Sequence, residues 1–502
     1  MFGFIYSLQL VGIATDVVRA DIARSIHISL MLYGFVPLML SLLPFVLFDK
    51  ENLITPKGIY YLEKFFILWY IFLVFMVLAL LAGVSRGLPF YDFPYELNGV
   101  LALSGLFYLL AILDTIKGYT IRPLWVKISL AIVIVSPFAL LLLMNPDYGQ
   151  VEQMHLGPHG DNTLGMSFAL LAIYYLVIKL SSPHISFVTR WHILWQIPLG
   201  FYLLSVLYRA FIGSLSYEAE WFLQYLTLLY IPTLYRWWRD AELSFSKHYT
   251  LLISILAFLF VDIEGNILFV PELRELFHRN DLVVGHAHIA VGIGLLFLAF
   301  ATIEPLFRFT KTRLIYLLTT ISLMSLVLTI SGIAQAGFMK FDISTAWEYR
   351  AIFGGAFLVG LIIFKLSLEY YEYIKRLSHI RIYHLVAFAS DGLGGLMLLL
   401  FASTLYGVID QEYIGGYQQI VFGFVMGVGV IHLMGFLLPH HADPLALATV
   451  VIRIITAGGF FALYKSGDLG WIALAIASID ILFALVYILY LQKETYEKTT
   501  TN

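Results

Sequence analysis

Long apolar runs separated by short polar connections make up most of this chain. About 20 apolar residues span a bilayer core as one helix, and about 15 runs of that kind can be counted. They begin near Ser25, Phe65, Leu97, Trp125, Thr163, Trp191, Trp221, His248, Leu282, Leu314, Ala351, His384, Gln418, Leu445 and Trp471. The pattern predicts an all-α polytopic membrane protein of about 15 transmembrane helices, surrounded by the lipid bilayer.

One charged stretch, EYYEYIKRLSHIR at residues 369–381, interrupts the series after its eleventh span. No other segment has the composition of a soluble domain or a low-complexity linker. We therefore expect two parts, a helical core at 1–374 and four additional transmembrane helices at 375–502.

Composition agrees with a membrane protein and narrows the chemistry. Of the 502 residues, 60% are hydrophobic and 13% are charged, and the mean hydropathy is +0.87. The chain has no cysteine, which excludes disulfides, thiolate metal sites and covalently attached c-type haem. The net charge of −3 gives no indication of nucleic-acid binding, and we expect no nucleic-acid partner.

Basic residues are concentrated in alternate loops, which predicts the orientation. The richer set contains Lys50, Lys57, Lys117, Arg122, Arg190, Arg236, Arg239, Lys247, Arg308, Lys311, Arg313, Lys375, Arg376 and Arg381. The other set contains Arg86, Arg274, Arg279, Lys340 and Lys465. The positive-inside rule places the N-terminus outside and the C-terminus in the cytoplasm, in the inner (cytoplasmic) membrane of the cell.

Three histidines are expected at one depth near the outer leaflet. His286 and His288 open the ninth span within DLVVGHAHIAVGIG, and i and i+2 positions of a helix point to nearly opposite faces. His27 opens the first span, which runs in the same direction. One ring of the His-x-His pair can then meet His27 across a planar cofactor. The alternative is three interfacial histidines without a ligand.

Flanking motifs give these histidines a family context. They are IEGN around Glu264, SGIAQAG from Ser331 and YRAIFGGAF around Arg350. Together with GHAH they resemble subunit I of the haem–copper oxidase superfamily, in particular the cbb3-type cytochrome c oxidases and the nitric oxide reductase large subunit. The resemblance implies an oxidase-like helical bundle, and it places Arg350 near haem propionates.

The resemblance also implies roles for the three histidines. His27 and His288 correspond to the ligands of a low-spin haem, and His286 to the ligand of a high-spin, active-site haem. Both haems are expected to be b-type. The family's first helix is missing here or reduced to residues 1–20, and the four C-terminal helices are additional.

The family's active-site copper, or iron in the reductases, has no clear ligand set in this chain. Either His159 aligns with one copper ligand, as a remnant of the second-metal site, or Asp161 replaces it. The family's His-His pair falls at or beside Tyr208 and Arg209, where no histidine pair exists. A site of this kind needs at least three imidazoles. We therefore expect the second metal to be absent.

An arginine within an apolar run is costly unless it is paired. Candidate partners of Arg209 are Asp161, Asp262, Glu264 and the haem propionates. Tyr208 and Arg209 are hypothesised to donate hydrogen bonds to a ligand on the His286-bound haem. Glu264 is a third catalytic candidate. The alternative is that Arg209 snorkels to the outer interface.

These features predict a respiratory-type electron-transport oxidoreductase that acts on O2 or NO. Its electron donor would be a cytochrome c-type protein, a quinol or a partner subunit. The alternative is a non-catalytic haem protein, either an electron conduit or a gas sensor. A transporter unrelated to haem is a third hypothesis, which would predict inverted repeats that the sequence does not clearly show.

The additional helices carry intramembrane charges at Asp391, Arg453 and Asp480. These charges form either proton-path elements or interhelical pairs, and the sequence does not choose between them. His432, in mid-span, is interpreted as an isolated core histidine or as a further ligand. His384 falls on the predicted cytoplasmic side and needs no special role.

Overall fold

The structure is a computed structural model, and the regular secondary structure of the residues it describes is helical. These are residues 1–13, 18–50, 54–87, 92–115, 160–181, 193–277, 280–306, 311–375, 377–408, 413, 415–467 and 469–500, with seven single residues between 127 and 141. No strand occurs among them. The all-α class is therefore confirmed for this part of the chain.

Twelve helices in the described ranges are long and apolar enough to cross a membrane. They are Ala20–Val46, Pro56–Leu81, Leu97–Thr115, Thr163–Ser181, Tyr249–Leu268, Asp281–Ile303, Lys311–Gln335, Ile343–Leu366, His379–Leu399, Gly416–Leu437, Pro439–Ser466 and Trp471–Gln492. Twelve apolar helices of this length indicate an integral membrane protein.

Three of the expected spans are not among the twelve. The span near Trp125 falls in 116–159, where only isolated residues are described. The run near Trp191 forms a helix at Ile193–Phe211 that ends with Arg209 in its last turn. The run near Trp221 forms the helices Tyr217–Tyr225 and Tyr230–Asp240, joined by a 3-10 turn at Leu226–Leu229.

Helix α5, Pro56–Leu81, shows how the apolar surface divides between lipid and protein. Ile67, Tyr70, Val74 and Leu78 recur at helical spacing and are each more than half exposed, whereas Phe72 on the opposite face is fully buried. A helix that is apolar on all sides is typical of a membrane span.

Backbone contacts divide the chain into two units, Met1–Lys365 and Leu366–Asn502. The first contains α1 Phe2–Leu10, α2 Ala20–Tyr33, α3 Phe35–Leu40, α4 Leu43–Lys50, α5, α6 Leu97–Thr115, α7 Gly160–Ser181, α8 Ile193–Phe211, α9 Tyr217–Tyr225, α10 Tyr230–Asp240, α11 Tyr249–Leu268, α12 Pro271–Phe277, α13 Asp281–Ala287, α14 Leu296–Ile303, α15 Lys311–Gln335 and the start of α16, Ile343–Lys375. The second contains α17 His379–Ala387, α18 Gly394–Val408, α19 Gly416–Leu437, α20 Ala442–Ser466 and α21 Trp471–Thr500.

The N-terminal segment forms a short helix that packs on α2. With nine residues, α1 rises by about 14 Å, which is too short for a hydrocarbon core of about 30 Å. It therefore does not form a membrane span of its own.

A π-helical turn interrupts the helix that carries GHAH. Helix α13 ends at Ala287, the π-helical segment covers His288–Leu295, and α14 continues from Leu296. The wider π turn changes the direction of the side chains that follow it, and such turns occur often at functional sites. His288 is its first residue.

Helices α13 and α15 approach closely because glycines occupy their contact. A Cβ atom at Gly285 would lie 2.9 Å from the Ser325 carbonyl oxygen and 3.0 Å from Thr329 Oγ1. A Cβ atom at Gly332 would overlap the backbone of Leu282 and lie 2.5 Å from its Cβ. Small residues allow such close backbone packing between membrane helices.

The Gly332→Ala variant tests this contact. We expect a lower thermal unfolding midpoint in detergent than that of the wild type, because overpacking a tight contact costs about 1–3 kcal/mol. Gly200→Ala is the matched control, because a Cβ atom at Gly200 meets nothing within 4 Å. Equal midpoints for Gly332→Ala and the wild type would contradict the close approach of α13 and α15.

Candidate functional site

The start of the GHAH helix is held by Asn280. Its side-chain oxygen accepts a hydrogen bond from the Leu282 backbone nitrogen at 2.9 Å, which is an N-cap. Its amide nitrogen donates to the carbonyl oxygen of Gly332 at 3.0 Å. One side chain therefore caps α13 and joins it to α15.

Asp281 makes the second connection. One of its carboxylate oxygens accepts hydrogen bonds from Ser331 Oγ at 2.6 Å, from Gln335 Nε2 at 2.7 Å and from Trp347 Nε1 at 3.0 Å. Gln335 Oε1 in return accepts from the Asp281 backbone nitrogen at 3.0 Å. The SGIAQAG motif thus supplies two side chains that fix where the GHAH helix begins.

The Nδ1 atom of His288 is held by the backbone of its own helix. Its Nδ1 atom lies 2.7 Å from the carbonyl oxygen of Val284. A carbonyl can only accept, so Nδ1 carries the hydrogen and Nε2 of the neutral ring keeps its lone pair. This is the tautomer that metal-binding histidines commonly adopt.

The structure brings His27 and His288 together. Their ring centroids lie 6.1 Å apart, with 23° between the ring planes. Imidazoles on opposite sides of one metal ion have nitrogens about 4 Å apart and ring centroids about 6 Å apart, taking about 2.0 Å for each metal–nitrogen bond. By this centroid separation, His27 and His288 are the two residues of the site that would hold a metal ion between them.

Helix α1 packs against the imidazole ring of His27. This contact was not predicted from the sequence. A Cβ atom at Gly3 would lie 2.6 Å from His27 Nδ1, so the imidazole ring lies directly against the helix. Tyr6 of the same helix contacts Arg350, whose guanidinium lies 5.2 Å from the ring centroid. Arg350 is 6% exposed.

His286 has a carboxylate partner. Its Nδ1 atom lies 3.1 Å from Glu264 Oε2, and the two side chains are 22% and 17% exposed. An ionised carboxylate can only accept, so the hydrogen lies on Nδ1 and Nε2 of the neutral ring is again the free atom. A carboxylate in this position orients a metal-binding imidazole and raises its basicity.

Arg209 has a partner that the sequence analysis did not name. It donates to Glu220, a buried carboxylate in the first turn of α9. Asp262 instead accepts from Thr227 Oγ1 at 2.5 Å, and Tyr208 is 40% exposed. The hypothesis that Tyr208 and Arg209 donate to a haem-bound ligand stays a prediction.

The residues expected at a second metal lie partly outside the described part of the chain. His159 is not described, and neither is the side chain of Asp161. Among the described residues, no group of three or more His, Asp or Glu side chains could hold a metal ion. No protein-family model matches this chain, and no curated protein matches it either.

The Asp281→Ala variant tests how the site is held. We expect a lower thermal midpoint, because Ser331, Gln335 and Trp347 lose a charged acceptor and such hydrogen bonds contribute about 1.5–3 kcal/mol each. Asp281→Asn keeps one acceptor oxygen, so its thermal midpoint should lie between those of the wild type and Asp281→Ala. Glu272→Ala, which removes an exposed carboxylate on the neighbouring α12, is the control. An Asp281→Ala protein as stable as the control would contradict this role.

Proposed function

We propose that this chain is a membrane haem-binding oxidoreductase of the respiratory type. His27 and His288 would hold a low-spin b-type haem, and His286 would hold a second, high-spin haem. The observation that carries the proposal is the ring pair of His27 and His288, whose centroids are 6.1 Å apart. The hydrogen bond of His288 Nδ1 to Val284 leaves the lone pair of a neutral ring on Nε2.

Four residues of the chain itself support these ligands. The Val284 carbonyl fixes the tautomer of His288, and Glu264 fixes that of His286. Gly3 leaves room for the His27 ring against α1. Arg350 is a buried cation that would pair with haem propionates.

The proposed substrate is a small gas, O2 or NO. When bound, two haems supply one-electron transfer and an open iron coordination position for such a gas. Glu264 acts on this chemistry through His286, so it is a positioning residue in this account. Electrons would come from a cytochrome c-type protein, a quinol or a partner subunit.

The membrane setting agrees with this proposal. The twelve apolar helices indicate a bilayer environment, in which an unpaired imidazole is costly. We propose the inner membrane, with the N-terminus outside. The oxidase-like bundle and the absence of a second metal, with His159 as its remnant, also belong to the proposal.

Haem content tests the proposal. We expect two b-type haems per chain in a pyridine haemochrome assay, and one haem in each of His27→Ala, His288→Ala and His286→Ala. His441→Ala, which removes an exposed histidine, should keep both haems. A purified wild type without haem, or ligand variants that keep two haems, would contradict the assignment. Copper and iron counted on the same sample test the proposed absence of a second metal.

A further inference from the structure

The second unit contains a buried polar cluster at the contact of its helices. His384 and His432 are fully buried, and Arg453 and Asp391 are 2% and 8% exposed. Asp480 completes the cluster from α21. His432 is therefore not an isolated core histidine, and His384 is part of the same network.

The hydrogen bonds define which nitrogens of the two histidines carry protons. His384 Nε2 lies 2.8 Å from the carbonyl oxygen of Ala442, which can only accept, so this nitrogen carries a hydrogen. A neutral imidazole has a single N–H, so His384 Nδ1 is an acceptor. It lies 3.0 Å from His432 Nδ1. His432 Nδ1 must therefore be the donor.

This order leaves His432 Nε2 with a lone pair. The atom is buried and has no hydrogen-bond partner among the described residues. It faces Asp391 Oδ2 at 3.8 Å. Two acceptors that face each other in a buried place repel, and a proton bound by either one turns the contact into an attraction.

The charges of the cluster favour one added proton. Arg453 donates to Asp391 and, at 2.6 Å, to Asp480. One guanidinium and two carboxylates sum to a net charge of −1 while both histidines are neutral. An uncompensated charge inside a membrane is costly. One proton brings the cluster to neutrality.

The other described neighbours of the two histidines are aromatic rings, one cation and one carboxylate. The cation is Arg381 of α17, whose Nε donates to the Phe436 carbonyl oxygen of α19 at 3.0 Å. Tyr383 of α17 packs its ring against His384 and His432, with centroids 5.6 and 5.7 Å away. Phe483 of α21 covers the guanidinium of Arg453 at 4.3 Å. Asp443, the nearest other carboxylate to His384 along α20, is exposed at the start of that helix.

Glycines of α19 bring this site together. A Cβ atom at Gly429 would lie 2.8 Å from the carbonyl carbon of Asp391, and one at Gly435 would lie 2.6 Å from His384 Nδ1. Asp391 itself lies in a second π-helical segment, Phe388–Leu393. Such turns are frequent at functional sites.

We propose that the second unit holds a buried proton-binding site between His432 Nε2 and Asp391 Oδ2. The proton comes from water, and its binding changes the charge of the cluster from −1 to zero. Because His432 Nδ1 donates to His384 Nδ1, the nitrogen of His432 that can accept this proton is Nε2. Every residue of this site belongs to the second unit.

Nitrogen-15 NMR of the full chain, labelled at histidine and reconstituted in lipid, tests the site without a variant. At alkaline pH we expect His384 as the Nε2–H tautomer and His432 as the Nδ1–H tautomer, identified from His384→Gln and His432→Gln spectra. As the pH falls from about 9 to about 5, across the usual range of histidine, one proton should be gained at His432 Nε2 or at the Asp391 carboxyl. Infrared spectroscopy detects whether the Asp391 carboxyl is the group that gains the proton.

Asp391→Asn should abolish this gain, because the cluster is then neutral without the proton. His441→Gln, an exposed histidine outside the cluster, should leave it unchanged. A His432 that carries its proton on Nε2 at alkaline pH would overturn the proposal. So would a wild-type cluster that gains no proton over this pH range.

Discussion

A polar side chain within hydrocarbon must find its partner inside the protein, and this constraint determines where the chemistry of the chain lies. In the first unit the carboxylate of Asp281 collects donors from Ser331, Gln335 and Trp347. These hydrogen bonds fix the start of the helix that carries His286 and His288. Together with the hydrogen bond from Asn280 to Gly332, they hold this helix against α15.

Parts of this arrangement could be predicted from the sequence, because they follow from helical spacing. GHAH and the opening of the first span predicted that His27 and His288 share a depth, and the structure brings their rings to 6.1 Å. The contribution of Gly3 could not be predicted, since α1 is too short to register as a span. The ion pair of Arg209 with Glu220 joins positions whose approach depends on the break between α8 and α9.

In the second unit too, contacts between helices could not be predicted from the sequence. Spacing along single helices places Asp391, Arg453 and Asp480 in the membrane, but it does not say which of them meet. His384 packs against Gly435, and Asp391 lies in a π-helical turn. Neither feature leaves a periodic signal in the sequence. The hydrogen-bond order, from Ala442 through both histidines, appears only when the helices are assembled.

The central proposal is that His27 and His288 would together hold one haem iron. Near-infrared magnetic circular dichroism of the oxidised, full-length protein reports the axial ligands of a low-spin haem directly. The account predicts a bis-histidine signal in the wild type that is lost in His27→Ala and in His288→Ala and retained in His286→Ala. A low-spin haem with any other ligand pair, or a bis-histidine signal that survives His27→Ala, would contradict it.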